Sequence, residues 1–585
     1  GRRSHTLSTH IPIPGDSPPD LKEARPRTGF TVRGMNRWTV ITIAIAALFA
    51  VPVLVILAHI FVPAGDVWKH LASTLLASYV TNSLLLMIGV GTGTLIIGVG
   101  TAWLVTMCRF PGAKLFEWCL LLPMAMPAYV IAYTYTGLLD AAGPVQETIR
   151  ALSGLEIGQY WFPEIRNLPG AMTMMTLVLY PYVYLLSRAA FLEQSICVLE
   201  VSRTLGRTPW QGFRSVALPL ARPAIATGVV LALMETLNDF GTVQYFAVDT
   251  FTTGIFRTWY GLGEPAAAAQ LAAMLMIFVL LLILGERLSR GQGRTHHTTQ
   301  RYRSISGYQL RGLRKGLAIT ACILPVLLGF FIPAGTLLSW SLETADTMVD
   351  RHFFELAFNS FTLAATAAVL AAAIATVMAY GLRLRPTPLT KAAARLASMG
   401  YAIPGAVIAV GILIPFSWLD GTINDWSRAT LNVEPGLIFS GTIVAVIFAY
   451  LVRFLAVSFN AVEASLAKIT PNMDDAARTL GKKPGQILLR THFPIMSGTL
   501  LTAGLLVFVD VMKELPATLI LRPFNFDTLA IRTYQLASDE RLADASSAAL
   551  AIVVVGIIPV VLLSLAIARS RPGSSRIGSP TESRE

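Results

Sequence analysis

Charge is what this sequence has least of. Asp, Glu, Lys and Arg make up only 14% of its 585 residues, while 54% are hydrophobic; a soluble globular protein carries about 25% charged residues. A soluble sphere cannot hide so much apolar surface, but a bilayer solvates it along runs of about 20 residues. The shortage of charge therefore excludes a string of soluble domains, a disordered chain and a nucleic-acid-binding protein. Cysteine is scarce too. Cys108, Cys119, Cys197 and Cys322 lie in or beside apolar runs without pairing or metal spacing, so no disulfide framework is expected and all four read as free packing thiols. Catalytic signatures are missing. Gly481-Lys482-Lys483 lacks both the upstream glycine and the following hydroxyl residue of a phosphate-binding loop, and no HExxH or G-x-S-x-G pattern stands out. The chain is expected not to be an enzyme, and it offers no certain set of metal ligands.

Apolar runs are abundant. About twelve stretches of at least 18 residues are centred near residues 50, 92, 127, 181, 229, 276, 328, 370, 407, 446, 505 and 558, which predicts an all-α polytopic membrane protein. Pro127, Pro181 and Pro404 interrupt three of them and predict bent helices inside a bundle. An even number of spans puts both termini on one side. Roughly 36 of the 46 basic residues fall on that side and about 9 on the other, with Lys513 left inside a span, so both termini are expected in the cytoplasm. The net charge of +12 is then a topology signal and calls for no nucleic acid. Residues 1–36, rich in Pro, Arg, Ser and Thr, lack a signal-peptide core and read as a basic flexible cytoplasmic tail. The chain begins with Gly1, which leaves its natural start open. Residues 571–585 read as a second tail, and residues 288–315, with His296 and His297, as a solvated cytoplasmic linker.

The sequence is also written twice. Leu199–Pro219 reads LEVSRTLGRTPWQGFRSVALP, and Asp474–Pro494 reads DDAARTLGKKPGQILLRTHFP. An offset of 275 pairs Glu200 with Asp475, Arg203 with Arg478, Thr204 with Thr479, Leu205 with Leu480 and Gly206 with Gly481. Upstream, Asn82, Ser83 and Pro127 recur as Asn359, Ser360 and Pro404; downstream, Arg257 recurs as Arg532. The two units are 37–287 and 316–570. Six spans in each make the halves parallel repeats, related by a pseudo-two-fold axis along the membrane normal, with a pathway expected where they meet. Residues 196–205 suit a short helix that Gly206 can end in the left-handed conformation; Pro209 then starts a second helical stretch and Pro219 the next span. Each repeat thus predicts a rigid helical elbow, a shape that suits a partner's groove because a preordered helix loses little entropy on docking.

At these residues the sequence resembles the permease subunits of ATP-binding-cassette importers, whose EAA loop is E-A-A, three residues, G, nine residues, I-x-L-P. Here the loops are EVS-RTL-G with VALP and DAA-RTL-G with HFP. The first departs at the double alanine; the second has aspartate for glutamate and phenylalanine for leucine. The resemblance implies the fold of a type I importer permease. It also implies that Glu200, Arg203, Thr204, Leu205 and Gly206, with Asp475, Ala476, Ala477, Arg478, Thr479, Leu480 and Gly481, form two helices that couple to an ATPase. The stretch Glu235–Ala272, ETLNDFGTVQYFAVDTFTTGIFRTWYGLGEPAAAAQLA, is similar to fused two-domain permeases of the ferric-iron type. That implies import of Fe(III) across the inner membrane, with one periplasmic binding protein and two ATPase subunits as partners. ATP and Mg belong to those ATPases, and the chain itself is expected to bind no cofactor. Permeases for thiamine, phosphonate and polyamine look alike in outline. From a different class, a secondary transporter with two parallel six-helix halves fits the span count but leaves the paired elbows unexplained.

Ionisable residues inside spans are expensive and point to function. The offset sets Glu235 opposite Asp510 and Asp239 opposite Glu514, and the spacing of four predicts each pair on one helix face. As Fe(III) is a hard cation suited to oxygen ligands, these carboxylates are candidates for the path, alongside phenols from Tyr129, Tyr133, Tyr180, Tyr182 and Tyr184. Simple pairing of Asp510 and Glu514 with Lys513 is the structural alternative.

Overall fold

A computed structural model describes residues 37–63, 65–193, 208–290 and 308–569. Both expected tails, the linker core with His296 and His297, Cys197, and the first elbow's Glu200, Arg203, Thr204, Leu205 and Gly206 lie outside the described residues. Among those described, 11 helices are long and apolar enough to cross a membrane; the pair Ala113–Ala125 and Ala128–Ser153, bent by 90°, supplies one more. Eleven of the expected centres fall within these helices, and the one near residue 127 falls at the bend of the pair.

Spans 2, 4 and 5 (Leu76–Met107, Leu168–Leu192 and Trp210–Asn238) pack as one bundle, and spans 8, 10 and 11 (Arg351–Leu384, Ile443–Ala467 and Pro484–Met512) repeat it. The leading span of each half crosses over. Span 1, Arg37–His59, lies against spans 8 and 9 of the second half, while span 7, Leu313–Met348, lies against the bent third span of the first. Small residues permit this close approach. A Cβ on Gly411 of span 9, Gly405–Leu431, would sit 2.5 Å from the Pro52 carbonyl oxygen, and one on Gly381 would sit 2.5 Å from Thr42 Oγ1. The halves therefore embrace one another, although the sequence places each six-span unit in one stretch. Spans 6 and 12 are Pro265–Leu288 and Leu542–Leu562.

The three prolines act differently. Pro127 and Pro404 each stand immediately before a helix, the short Ala128–Leu139 and the full-length Gly405–Leu431, and each follows a 3₁₀ turn, Leu122–Ala125 and Met399–Ala402. A proline ring pushes the residue before it out of the helical region. Met126 (ψ 117) and Ile403 (ψ 126) are accordingly extended, and the helices break there. Pro181, by contrast, stays inside the unbroken helix Leu168–Glu193. It deprives the Leu177 carbonyl of its usual donor. Gly329 of span 7 comes closest at that carbonyl, where a Cβ would lie 2.8 Å away.

Pro219 does not begin its span. The chain runs helically from Pro209 through a π turn, Phe213–Ala217, into Leu218–Asn238; the second half does the same through Leu488–His492 into Phe493–Met512. A widened turn tolerates the N–H that Pro219 and Pro494 lack, so the helix continues. The described strand structure is one parallel pairing of Cys108–Arg109 with Tyr308–Gln309, which ties the end of the linker to the first half. Large apolar side chains such as Ile96, Leu281 and Val369 remain exposed on the outside, as a lipid-facing surface requires.

Candidate functional site

A cavity of about 120 Å³ lies between the halves, and the repeat organises its wall. Glu235 faces it with Asp510, Asp239 with Glu514, Asn238 with Lys513, and Val178 with Arg453. Each of these pairs is separated by 275 residues, so the cavity sits on the pseudo-two-fold axis. All four sequence-predicted carboxylates reach it.

They do not share one helix face in pairs. The helix that carries Glu235 ends at Asn238, and the one that carries Asp510 ends at Met512, so Asp239 and Glu514 fall past the ends. Each then turns to the start of the next short helix, where unpaired backbone N–H groups are available. Asp239 Oδ1 accepts from the N–H of Thr242 (3.0 Å) and of Val243 (3.2 Å), and Oδ2 accepts from Thr242 Oγ1 (2.9 Å). Glu514 Oε1 accepts from the Ala517 N–H (2.9 Å), and Oε2 from the Thr518 N–H (3.0 Å) and Thr518 Oγ1 (2.6 Å). These two carboxylates are caps as well as wall.

Glu235 and Asp510 meet cations instead. Lys513 Nζ lies 3.1 Å from Asp510 Oδ1, the pairing that the sequence offered as a structural alternative; Glu514 takes no part in it. Arg453 Nη2 lies 3.8 Å from Glu235 Oε1 across the interface of the halves. The Asn238 Oδ1 accepts from Arg453 Nη1 and, at 2.7 Å, from the Gly405 N–H at the start of span 9. Arg453 is only 4% exposed. Sequence reasoning missed it, although an arginine ten residues into span 10 is the kind of ionisable residue that marks a pathway.

Two of the five candidate tyrosines, Tyr129 and Tyr182, line the cavity. Tyr133 and Tyr180 are buried elsewhere with unpaired hydroxyls, and Tyr184 donates to the Glu117 carbonyl at 2.7 Å. Among the described residues no group of three or more His, Cys, Asp or Glu side chains has metal-holding geometry.

The second elbow forms a helix, Pro471–Thr479. Asp475, Ala476, Arg478, Thr479 and Leu480 are exposed on it and Ala477 is half-buried. Gly481 ends it with φ +73°, while its N–H donates to the Arg478 carbonyl and that of Lys482 donates to the Ala477 carbonyl. This is the left-handed glycine stop that the sequence predicts. Beneath it Asp474 is buried, receiving Arg383 Nε at 2.9 Å and pairing with His492 Nε2 at 2.6 Å. Arg383 also donates to the carbonyls of Leu466 and, at 2.9 Å, Ile469. The elbow is thereby bolted to the ends of spans 8, 10 and 11. None of the three residues has a repeat counterpart of like chemistry: Leu199 and Ala217 stand 275 residues before Asp474 and His492, and Thr106 stands before Arg383 at the offset of 277 that relates Pro127 to Pro404. At the opposite end of the bundle, Arg166 makes a two-pronged bond to Glu540 (2.8 and 2.9 Å) and holds that carboxyl below its ordinary range.

The family described as "Binding-protein-dependent transport system inner membrane component" matches residues 94–293 and 371–572, once in each half. The chain is 29% identical over 498 residues to the Fe(3+)-transport system permease protein FbpB 2 of Haemophilus influenzae, covering 83% of this chain and 90% of that protein. It is 23% identical over 431 residues to the ferric transport system permease protein FbpB of Actinobacillus pleuropneumoniae, covering 68% and 58%. It is 28% identical over 196 residues to the molybdenum transport system permease protein ModB of Escherichia coli, covering 32% of this chain but 82% of that one, so the latter corresponds to a single half.

Proposed function

From the premise that this chain belongs to the binding-protein-dependent transport system inner membrane component family, we propose that it is the permease of an ATP-driven importer that passes ferric iron from a periplasmic binding protein to the cytoplasm. Its two elbows seat two copies of an ATPase, which hold the ATP and Mg; the opposite face receives one binding protein. Both termini are cytoplasmic, and the chain carries no cofactor of its own.

The observation that carries the choice of cargo is the cavity on the pseudo-two-fold axis, where four carboxylates face two bases. That surplus of negative charge favours a cation and disfavours an oxyanion. Relatives named for molybdenum and sulfate transport match one half of the chain, whereas those named for ferric iron span both halves. Movement of the second elbow reaches the cavity mechanically. Asp474 grips Arg383 at the end of span 8, and the span that follows the elbow ends at Met512, beside Lys513 and Glu514. Asn238, Arg453 and Gly405 tie the halves together at the cavity, so any rearrangement there must change these contacts.

The test is transport by proteoliposomes that contain the permease and its ATPase, supplied with loaded binding protein and ATP. Uptake of radiolabelled iron, without uptake of radiolabelled thiamine, is the expected result. Uptake of thiamine alone would replace iron as the cargo, and uptake without any ATPase would make the chain a secondary transporter.

A further inference from the structure

The cavity poses a problem for a carrier of Fe(III). A hard trivalent ion among free carboxylates binds tightly, and a pathway site that binds tightly retains its cargo. The wall differs from such a trap in two respects. Asp239 and Glu514 each already accept three hydrogen bonds, which leaves Glu235 and Asp510 as the carboxylates least committed to hydrogen-bond donors. These two are the ones that face tethered cations, Arg453 and Lys513.

We propose that Lys513, assisted by Arg453, is a built-in competitor of the cargo: it occupies Asp510 and Glu235 when the cavity is empty, yields them to the passing ion, and reclaims them to expel it. The idea rests on the ferric-import reading and deepens it. Lys513 is suited to the part because an ammonium is a compact point charge on a flexible stem. Its Nζ already contacts Asp510 and lies within electrostatic range of Glu235, and its side chain, 26% exposed, lines the cavity. Arg453, only 4% exposed and tied to Asn238, is the fixed member that sets the resting field. Attraction scales with charge, so a trivalent ion has about a threefold advantage over an ammonium at each carboxylate at equal distance. The tethered ammonium counters this with its high local concentration, being unable to diffuse away. Binding is then strong enough for entry and weak enough for release.

Neither cation has a basic counterpart in the first half, where Asn238 and Val178 stand at the repeat positions and also line the cavity. The competitors therefore come from one side, and relative movement of the halves changes the distance between Arg453 and Glu235 while Lys513 and Asp510 travel together.

The experiment uses the whole importer in nanodiscs, with citrate-buffered radiolabelled Fe(III) as the probe for retention without ATP, and the same complexes in proteoliposomes for uptake. Lys513→Gln is expected to raise retained iron at least tenfold and to lower uptake per folded complex several-fold. Lys513→Arg should restore weak retention, and Lys513→Gln combined with Asp510→Asn should lose the gain, since the freed carboxylate is gone. A merely structural lysine would lower folded abundance without raising retention. Unchanged or lower retention in Lys513→Gln, with wild-type uptake intact, overturns the competitor role alone. Absence of iron uptake by the wild type overturns the ferric reading, and this inference with it.

Discussion

Replacing Asp474 with alanine tests how the second elbow is held. Asp474 is 8% exposed and binds Arg383 and His492 at 2.9 and 2.6 Å. Removing one member of a buried charged pair costs about 3–5 kcal/mol, because the other is left uncompensated. Arg383 keeps its two carbonyl partners, which argues for the lower end, about 3 kcal/mol. The loss should fall on the elbow, which has few other buried anchors: Asp474 is the sole buried residue of Pro471–Thr479. At 1.4 kcal/mol per factor of ten, local opening should become about 100-fold more frequent. Amide hydrogen exchange on the purified importer reads this directly, with faster exchange in residues 476–482 and little change in the middle of span 10. Asp474→Asn keeps one acceptor and should show about a tenfold effect. Exchange within about twofold of wild type in the alanine variant would refute the anchoring role.

Three further outcomes follow from the same geometry. At Gly481 a Cβ would meet nothing within 4 Å, so Gly481→Val should act through its φ of +73° alone, costing about 1–2 kcal/mol locally and lowering iron moved per ATP hydrolysed while membrane abundance holds. Among the carboxylates, Glu235→Gln and Asp510→Asn should reduce uptake per folded molecule, whereas Asp239→Asn and Glu514→Gln, whose amides keep only one of two accepting oxygens, should mainly reduce folded yield, by about 1 kcal/mol each, as detergent melting would show; equal losses of yield in all four would remove the distinction. Glu540 ionises below its ordinary value because Arg166 bonds it, so this pair contributes stability above the unfolded glutamate value of 4.5 and loses it as pH falls through the lowered one. Both side chains are substantially exposed (33% and 60%), so Glu540→Gln should flatten the acid side of the melting profile only slightly, and a loss confined to alkaline pH would contradict the assignment.

The spans were legible because each is a single run of residues whose apolar length meets the thickness of a bilayer, and the carboxylates because the offset of 275 paired them. The glycine stop at Gly481 was legible for a local reason: a helix that must end there needs a residue tolerant of positive φ. What escaped were relations that depend on distant backbone positions. Asp239 and Glu514 become caps only because their helices end one or two residues earlier, a boundary that composition does not fix. The crossing of spans 1 and 7 has no signal in hydropathy, which gives length but not neighbours. His492 and Arg383 lie 109 residues apart in sequence and meet only through Asp474.

The charged residues that hold the cavity and the second elbow share a further property: several of them break the repeat. Arg453 stands opposite Val178, Lys513 opposite Asn238, Asp474 opposite Leu199, and His492 opposite Ala217. A search for self-similarity passes over these positions, yet only a pair of unlike halves can hold them. A homodimer of the first half would face its cavity with four carboxylates and neither base, a trap for a trivalent ion. A homodimer of the second would add two lysines and two arginines, enough to cancel the carboxylates and remove the attraction. The fused chain sits between these, with two negative charges in excess, and places the bases on one side so that movement between the halves alters the field. The pseudo-symmetry thus builds the pathway, and the departures from it set how firmly the cargo is held.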